Sequence, residues 1–237
     1  MNRQQLENYL HKNPFEQIKN IVFDLISEEI ISLKLKPGEN INISQIAEDL
    51  NVSITPVREA IIKLIDCGFI KKYPHKKGYY VATFDVSDII KVFYARKTVE
   101  SKAAYLCAQY KECPNIERLS ILAQDYKNLF YKKNSIVSND FEFHKLIVQS
   151  CGNDYLLEFY NLIEKKALRY LKSNLIYITE DYYTARPDTD SFATQHTSIV
   201  NAIKLNIPEL AEKEMANHIE TALKNALYFF NINSNKI

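Results

Sequence analysis

Ser44-Gln45-Ile46-Ala47-Glu48-Asp49-Leu50 leads through Asn51-Val52-Ser53 into Thr55-Pro56-Val57-Arg58-Glu59-Ala60-Ile61, which runs on to Ile65. The spacing predicts a short helix, a tight turn and a second helix that Gly68 stops, because glycine supplies the positive φ of a helix end. Phe69–Tyr73 and Tyr79–Ala82 then read as two short strands joined by Pro74-His75-Lys76-Lys77-Gly78. In such a unit the first helix braces the second. The exposed N-terminal turn of the second helix can then enter a major groove, which is wide enough to admit it. The two-stranded wing carries cations able to reach a phosphate backbone or a minor groove.

The whole chain has a formal net charge of only +1, which by itself argues against a nucleic-acid partner. The distribution argues the other way. Between Val52 and Ala82 stand Arg58, Lys63, Lys71, Lys72, Lys76 and Lys77 against Glu59 and Asp66 alone. Charge is concentrated where a second helix and a wing would need it. A lysine run taken alone is better explained as a solubilising hairpin; beside these two helices the phosphate contact is favoured. Residues 83–237 carry no net charge, which argues against a non-specific architectural DNA protein.

The 237 residues suit two modest domains, and a hydrophobic content of 46% is enough to build real cores. No run of about eighteen apolar residues occurs, so no membrane span is expected. Residues 1–14 are polar, lack an apolar signal region and read as a flexible N-terminus. Cys67, Cys107, Cys113 and Cys151 have no paired spacing, which predicts reduced thiols in a cytoplasmic protein. Phe15–Leu33 reads as an amphipathic helix with Ile18, Val22, Leu25, Ile26 and Ile30 on one side, opening a DNA-binding domain over residues 15–82.

Residues 83–86 read as a linker, and strand signals stop there. Residues 87–232 read as an all-α bundle of six or seven helices, near Val86–Gln109, Asn115–Lys132, Ser138–Ser150, Asp154–Ser173, Ser191–Leu205 and Pro208–Phe230. Asn115 after Pro114, Asp154 after Gly152-Asn153, and Pro208 at a first turn are helix-start signals. Thr179–Asp190, polar and containing Pro187, reads as a loop. The predicted fold class is mainly α, an N-terminal winged helix-turn-helix followed by a C-terminal helical bundle.

Three of the five histidines fall at interpretable places in the bundle. Asp140 and His144 are four apart on one predicted helix, which stacks them on one face. His196 is in phase with Ile199, Val200 and Ile203, and His218 falls in or near the phase of Leu210, Met215, Ala222 and Leu223. All three imidazoles therefore point toward the bundle interior, where Asp140 can also point. Three imidazoles and a carboxylate converging there make a mixed nitrogen and oxygen site for a divalent transition metal. Each histidine taken singly is also read as a core residue with one hydrogen bond.

The first segment resembles the winged helix-turn-helix of the GntR family of bacterial transcription regulators. The resemblance is carried by Pro37-Gly38, Ile46-Ala47-Glu48, Leu50-Asn51-Val52-Ser53, Thr55-Pro56-Val57-Arg58-Glu59-Ala60, Leu64, Gly68-Phe69-Ile70 and Gly78. It implies double-stranded operator DNA as a partner, contacted through Arg58 in the second helix and Lys76 and Lys77 in the wing. Ser44, Ser53, Thr55, His75 and Gly78 are expected as phosphate or accessory contacts. The family places a base-contacting Arg where this chain has Ile54, a departure at one base-reading position.

The second half resembles the FCD effector domain of the FadR-like branch. The runs that carry this are Asp140-Phe141-Glu142-Phe143-His144 with Ile147, Cys151-Gly152-Asn153, His196 with Ile199, Ala202 and Ile203, and Ala211 with Met215, His218 and Ile219. The resemblance implies one divalent metal, zinc or nickel, held by Asp140, His144, His196 and His218. It also implies a small carboxylate effector bound near Arg96, with Arg169 and Asn153 as further candidates. Arg96 has a second reading, a surface residue paired with Glu100 at i,i+4. Cys151 either lines the pocket or packs as a small hydrophobe.

Together these readings describe a ligand-responsive regulator, expected to bind a pseudo-palindromic operator as a homodimer. The rival is a metalloenzyme with an appended DNA-binding module. Hydrolytic metal sites need a placed general base, and Glu142 points to a different helix face from Asp140 and His144. No Ser/His/Asp set, phosphate loop or dinucleotide fingerprint is present. The expected protein is not an enzyme.

Overall fold

The computed structural model describes residues 1–128, 133–177 and 189–233, which divide into two compact units, Met1–Asp85 and Val86–Ile237. The first unit contains α1 (Arg3–Lys12), α2 (Ile18–Ile31), β1 (Asn40–Ile41), α3 (Ile43–Leu50), α4 (Ile54–Asp66), β2 (Ile70–Lys71) and β3 (Tyr79–Val81). Helix α3 begins where the Asn42 side chain accepts the Gln45 N–H at 3.1 Å. It ends at Asn51, whose φ of 54° turns the chain toward α4. Helix α4 ends at Gly68, φ 74°, where the Phe69 N–H reaches back to the Leu64 carbonyl at 2.9 Å. That bond and the burial of Phe69 form a hydrophobic C-terminal cap. Ile21, Val22, Leu25, Ile26 and Ile30 of α2 and Val57, Ile61 and Leu64 of α4 form the shared core. Ile18, expected on that face, is 42% exposed because it opens the helix.

Two expectations for this unit are corrected. Residues 1–14 contain a helix rather than a flexible extension. Asn2 accepts the Gln5 N–H at 3.0 Å while the Gln5 side chain accepts the Asn2 N–H at 2.8 Å, a capping box that starts α1. Leu6 buries and Tyr9 donates to Glu28 of α2, which anchors the helix. The wing also has a third strand. The sheet order is β1-β3-β2, with Asn40 opposite Tyr80 and Ile70 opposite Val81. Two residues are too few to show a period-2 pattern, which is why β1 escaped the sequence reading.

The second unit is helical: α5 (Val86–Gln109), α6 (Ile116–Asn128), α7 (Lys133–Ser150), α8 (Asp154–Tyr177), α9 (Thr189–Lys204) and α10 (Pro208–Asn233). Helix α5 is central and touches α7, α8, α9 and α10. Helix α7 starts five residues before the predicted Ser138. The loop expected over Thr179–Asp190 lies outside the described residues except for Thr189 and Asp190, which already belong to α9. Among the described residues no helix is long and apolar enough to cross a membrane, and the four cysteines are free thiols, with Cys151 buried.

Gly152 links α7 to α8 with φ 70°, and a Cβ built there would lie 2.0 Å from the Tyr110 hydroxyl. Gly152→Ala is therefore expected to cost about 1–2 kcal/mol from the left-handed backbone alone, with displacement of Tyr110 adding to it. Urea unfolding of the two proteins checks this; equal midpoints would mean that the α7–α8 turn adapts.

Candidate functional site

Three helices bring one polar cluster into the interior of the second unit. Helix α7 supplies Asp140 and His144, α9 supplies His196 and α10 supplies His218. The three histidines are buried and Asp140 is half-buried. Their Nε2 atoms face one another, with His218 3.0 Å from His144 and 3.3 Å from His196. Asp140 Oδ1 closes the group at 3.4 Å from His196 Nε2 and 3.7 Å from His144 Nε2. All four ligand atoms lie within 4.8 Å of one another. Ligands about 2.0–2.1 Å from a zinc ion stand about 3.3 Å apart in a tetrahedron and about 3.0 Å apart when adjacent in an octahedron. The cluster thus has the edge lengths of a coordination cage.

The outer nitrogen of His218 holds its ring in place. His218 Nδ1 is 3.0 Å from Gln195 Oε1, so it carries the proton and its Nε2 lone pair faces the cluster. His144 Nδ1 stands 2.7 Å from Glu100 Oε2 on α5. That approach lies off the N–H axis, since Nδ1 has no aligned hydrogen bond. Phe143 stacks on His196 at 4.2 Å between ring centres, and Tyr126 meets the same imidazole edge-on at 4.7 Å.

Charge within the cluster is graded. Burial, and then the neighbouring imidazoles, hold His218 well below the ordinary histidine value. Burial lowers His196 as well, against the pull of Asp140. Burial also opposes charge on His144, but Glu100 and Asp140 override it and raise this group. The Asp140 carboxyl is pushed up by burial and pulled further down by His144 and His196, to a net position well below its usual range. Within the cluster a proton is therefore favoured on His144, between two carboxylates, over one on His196 or His218. That donor set fits a divalent cation, which would take the place of the proton.

Arg96 is neither a surface residue nor free to face a ligand with its whole guanidinium. It is 2% exposed, and its Nε and Nη2 reach Glu100 Oε1 and Oε2 at 2.7 and 3.3 Å. Its Nη1 is buried without a hydrogen-bond partner. Glu100, fully buried, thus joins Arg96 to His144. Sequence reading had given Glu100 only the role of a surface partner; the clue was a charged i,i+4 pair on a helix otherwise apolar along that face. Tyr160 of α8 was also missed; it is buried and lies among the charges of Glu100, Arg96 and Asp140.

Two other effector candidates lie at the start of α8 and within it. Asn153 caps α8, its Oδ1 accepting the Leu156 N–H at 3.1 Å. Arg169 is buried, and burial lowers it to about 10 despite the counter-pull of Tyr170 and Asp88. Glu142, the nearest acid in sequence, is bound at the surface by Arg118 at 2.6 Å.

In the first unit Ser53, Ile54, Thr55 and Arg58 are exposed along the front of α4, and Ser44 is exposed on α3. The Ser53 side chain makes no cap hydrogen bond, so it leaves the first N–H groups of α4 available. Glu59 is neutralised by Lys19 at 3.3 Å, whereas Arg58 makes no ion pair among the described residues. His75, Lys76, Lys77 and Gly78 are exposed at the tip of the wing. Lys76 lies over the rings of Tyr73 and Tyr80 at 5.7 and 5.6 Å.

Residues 91–221 match the profile of the "FCD domain", and residues 18–81 match that of "Bacterial regulatory proteins, gntR family". The chain belongs to the GntR family. As a GntR regulator with an FCD domain it is similar over its length to proteins of known name. It is 23% identical over 217 residues to the HTH-type transcriptional repressor RspR of Escherichia coli, covering 88% of each chain. It is 27% identical over 205 residues to a probable D-xylose utilization operon transcriptional repressor of Paenarthrobacter nicotinovorans, covering 85% of each. The structure of E. coli McbR/YncC superposes with a TM-score of 0.74 at 17% identity, covering 91% of this chain and 100% of that one, a likeness of fold. This GntR protein is a transcription regulator with a DNA-binding module and an effector domain.

Proposed function

We propose that this regulator is a repressor that binds a pseudo-palindromic operator as a homodimer and changes its operator affinity when a small carboxylate binds at a metal centre in the FCD domain. The observation that carries the reading is the cluster of three Nε2 atoms and Asp140 Oδ1, four of whose separations are 3.0–3.7 Å, with all of them within 4.8 Å. Asp140, His144, His196 and His218 would hold zinc or nickel, and a metal preferring six ligands would leave two positions for an acid. The metal supplies a Lewis-acid anchor for one carboxylate. Arg96 Nη1, buried and unpartnered, supplies the charge-assisted donor for another. Arg169, buried on α8, is kept as a further candidate cation for the acid, whereas the Asn153 side chain caps α8. The relatives named as repressors support the sign of control.

The test combines metal analysis of the purified protein, a thermal-shift screen of di- and hydroxycarboxylic acids, and operator binding with and without each hit. Stabilisation with a shift in operator affinity supports the sensor. Turnover of a hit would move the reading to a metalloenzyme carrying a DNA-binding module.

On the DNA side Arg58 is proposed to reach guanine O6 and N7, and Ile54, on the same face of α4, to contact a thymine methyl group. Ser44, Ser53, Thr55 and the open N-terminus of α4 would contact phosphates, as would His75, Lys76, Lys77 and the Gly78 backbone in the wing. Arg58→Ala is expected to cost about 1–3 kcal/mol of specific binding. Lys76→Ala is expected to weaken all sequences alike and to lower the salt slope by about one unit. Titrations of specific and scrambled duplexes at several salt concentrations measure both. Unchanged specific affinity for Arg58→Ala at fixed salt would remove that residue from base reading.

A further inference from the structure

Three of the four thiols gather where α5 and α7 end. Cys107 lies in the last turns of α5, Cys113 in the loop between α5 and α6, and Cys151 directly after α7; all three are buried. The Cys107 and Cys113 side chains meet in a hydrogen bond, whereas Cys151 bears on them through charge. The loop that carries Cys113 is pinned on both sides of the thiol. Asn206 donates to the Ala108 carbonyl at 3.3 Å and also to that of Tyr110, and Asn115 donates to the Ser150 hydroxyl at 3.0 Å. Lys111, Glu112, Pro114 and Asn115 are exposed around Cys113, so its sulfur lies just beneath the surface. Cys107 lies deeper, and its thiol donates to the Ile147 carbonyl of α7 at 3.3 Å.

We propose that Cys107 and Cys113 are a peroxide-oxidisable pair that closes to an intrachain disulfide. The Cys113 thiolate attacks one oxygen of hydrogen peroxide, the O–O bond breaks, and the other oxygen leaves as water after taking up a proton. Cys113 is then a sulfenic acid. The Cys107 sulfur displaces its hydroxyl, which leaves as a second water with the Cys107 proton, and the S–S bond forms. Two electrons pass from the thiols to the peroxide. The order of attack follows from the hydrogen bond between the sulfurs, which favours the thiolate on Cys113 and, together with burial, disfavours it on Cys107. Sulfurs already in contact need only a short approach to the disulfide distance of about 2.05 Å. That approach draws the Cys107 thiol away from Ile147, so oxidation releases a link between α5 and α7.

Peptide mapping of the full-length chain tests this. Reduced protein is treated with hydrogen peroxide, alkylated and digested with trypsin without reductant. Cleavage at Lys102, Lys111 and Arg118 releases Ala103–Lys111 and Glu112–Arg118 as separate peptides from the reduced chain. After peroxide they are expected to be joined by a disulfide, and dithiothreitol should part them again. In Cys107→Ala the sulfenic acid has no partner, so dimedone should label Cys113. In Cys113→Ala, Cys107 should remain unlabelled, and Cys151→Ala should give the joined peptides as wild type does. Wild-type Cys107 and Cys113 that are both still alkylated after peroxide overturn the proposal. So does a disulfide from Cys113 to Cys151, and dimedone labelling of Cys107 in place of Cys113 overturns the order of attack.

Discussion

Arg96→Ala is expected to destabilise the folded chain by about 3–5 kcal/mol, the cost of breaking a buried ion pair from one side. Both partners are buried, and Arg96 meets both Glu100 oxygens at 2.7 and 3.3 Å. Without it, Glu100 is a buried carboxylate with His144 as its remaining partner. Glu100 draws its lowered titration from Arg96 first and His144 second, both acting against burial. Replacing the pair together, Arg96→Met with Glu100→Gln, should recover much of the loss, because no charge is then left uncompensated. Urea unfolding of metal-free protein measures all three forms. A cost below about 1 kcal/mol for Arg96→Ala would mean that water screens the pair as on a surface. The consequence for effector work is that Arg96→Ala confounds folding with signalling. Arg96→Lys keeps the charge but not the planar two-pronged donor, so it should lose the acid response while retaining more of the fold.

The parts of this protein that were legible in its sequence are those written in local chemistry. Thr55-Pro56-Val57-Arg58 before a Gly68 stop fixed α4 because the N-terminal proline and terminal glycine have conformational meanings of their own. Val86–Gln109 was read at its observed boundaries. Asp140, His144, His196 and His218 were found because i,i+4 spacing and helix phase point a side chain inward, and the fold brings those four together. What was not legible depends on which helices neighbour which. Glu100 became an orienting group only because α5 lies against α7, and nothing in Arg96-Lys97-Thr98-Val99-Glu100 states that. Asn153 was read as a pocket residue, yet its side chain serves the first turn of α8, a commoner use of asparagine in that position. The polar N-terminus was read as flexible because its apolar content is low, while its helix depends on a capping box and two anchors, Leu6 and Tyr9.

His218→Ala should abolish metal-dependent stability while leaving the metal-free chain folded. With free metal at about a thousand times its dissociation constant, binding stabilises the native state by about 4 kcal/mol. That difference between metal-loaded and chelated protein should vanish in the variant. Chelated wild type and chelated His218→Ala should unfold at similar denaturant concentrations, because His218 is buried as a neutral ring and crowded by two others. Glu100→Gln should keep the site but weaken it about 10–100-fold, through loss of the group that orients His144. The pH dependence follows from the raised His144. Below its raised value the metal must displace a proton that Glu100 and Asp140 help to hold, so affinity climbs as pH rises through that titration and then levels. Without metal, His196 and His218 act in the opposite sense to His144. Their lowered values mean that unfolding takes up protons as pH falls below the ordinary histidine range, so acid destabilises through them. Calorimetric titration of metal in buffers of different ionisation enthalpy should therefore register proton release that fades as pH rises. A metal affinity independent of pH across the histidine range, or metal retained in full by His218→Ala, would show that the cation binds elsewhere.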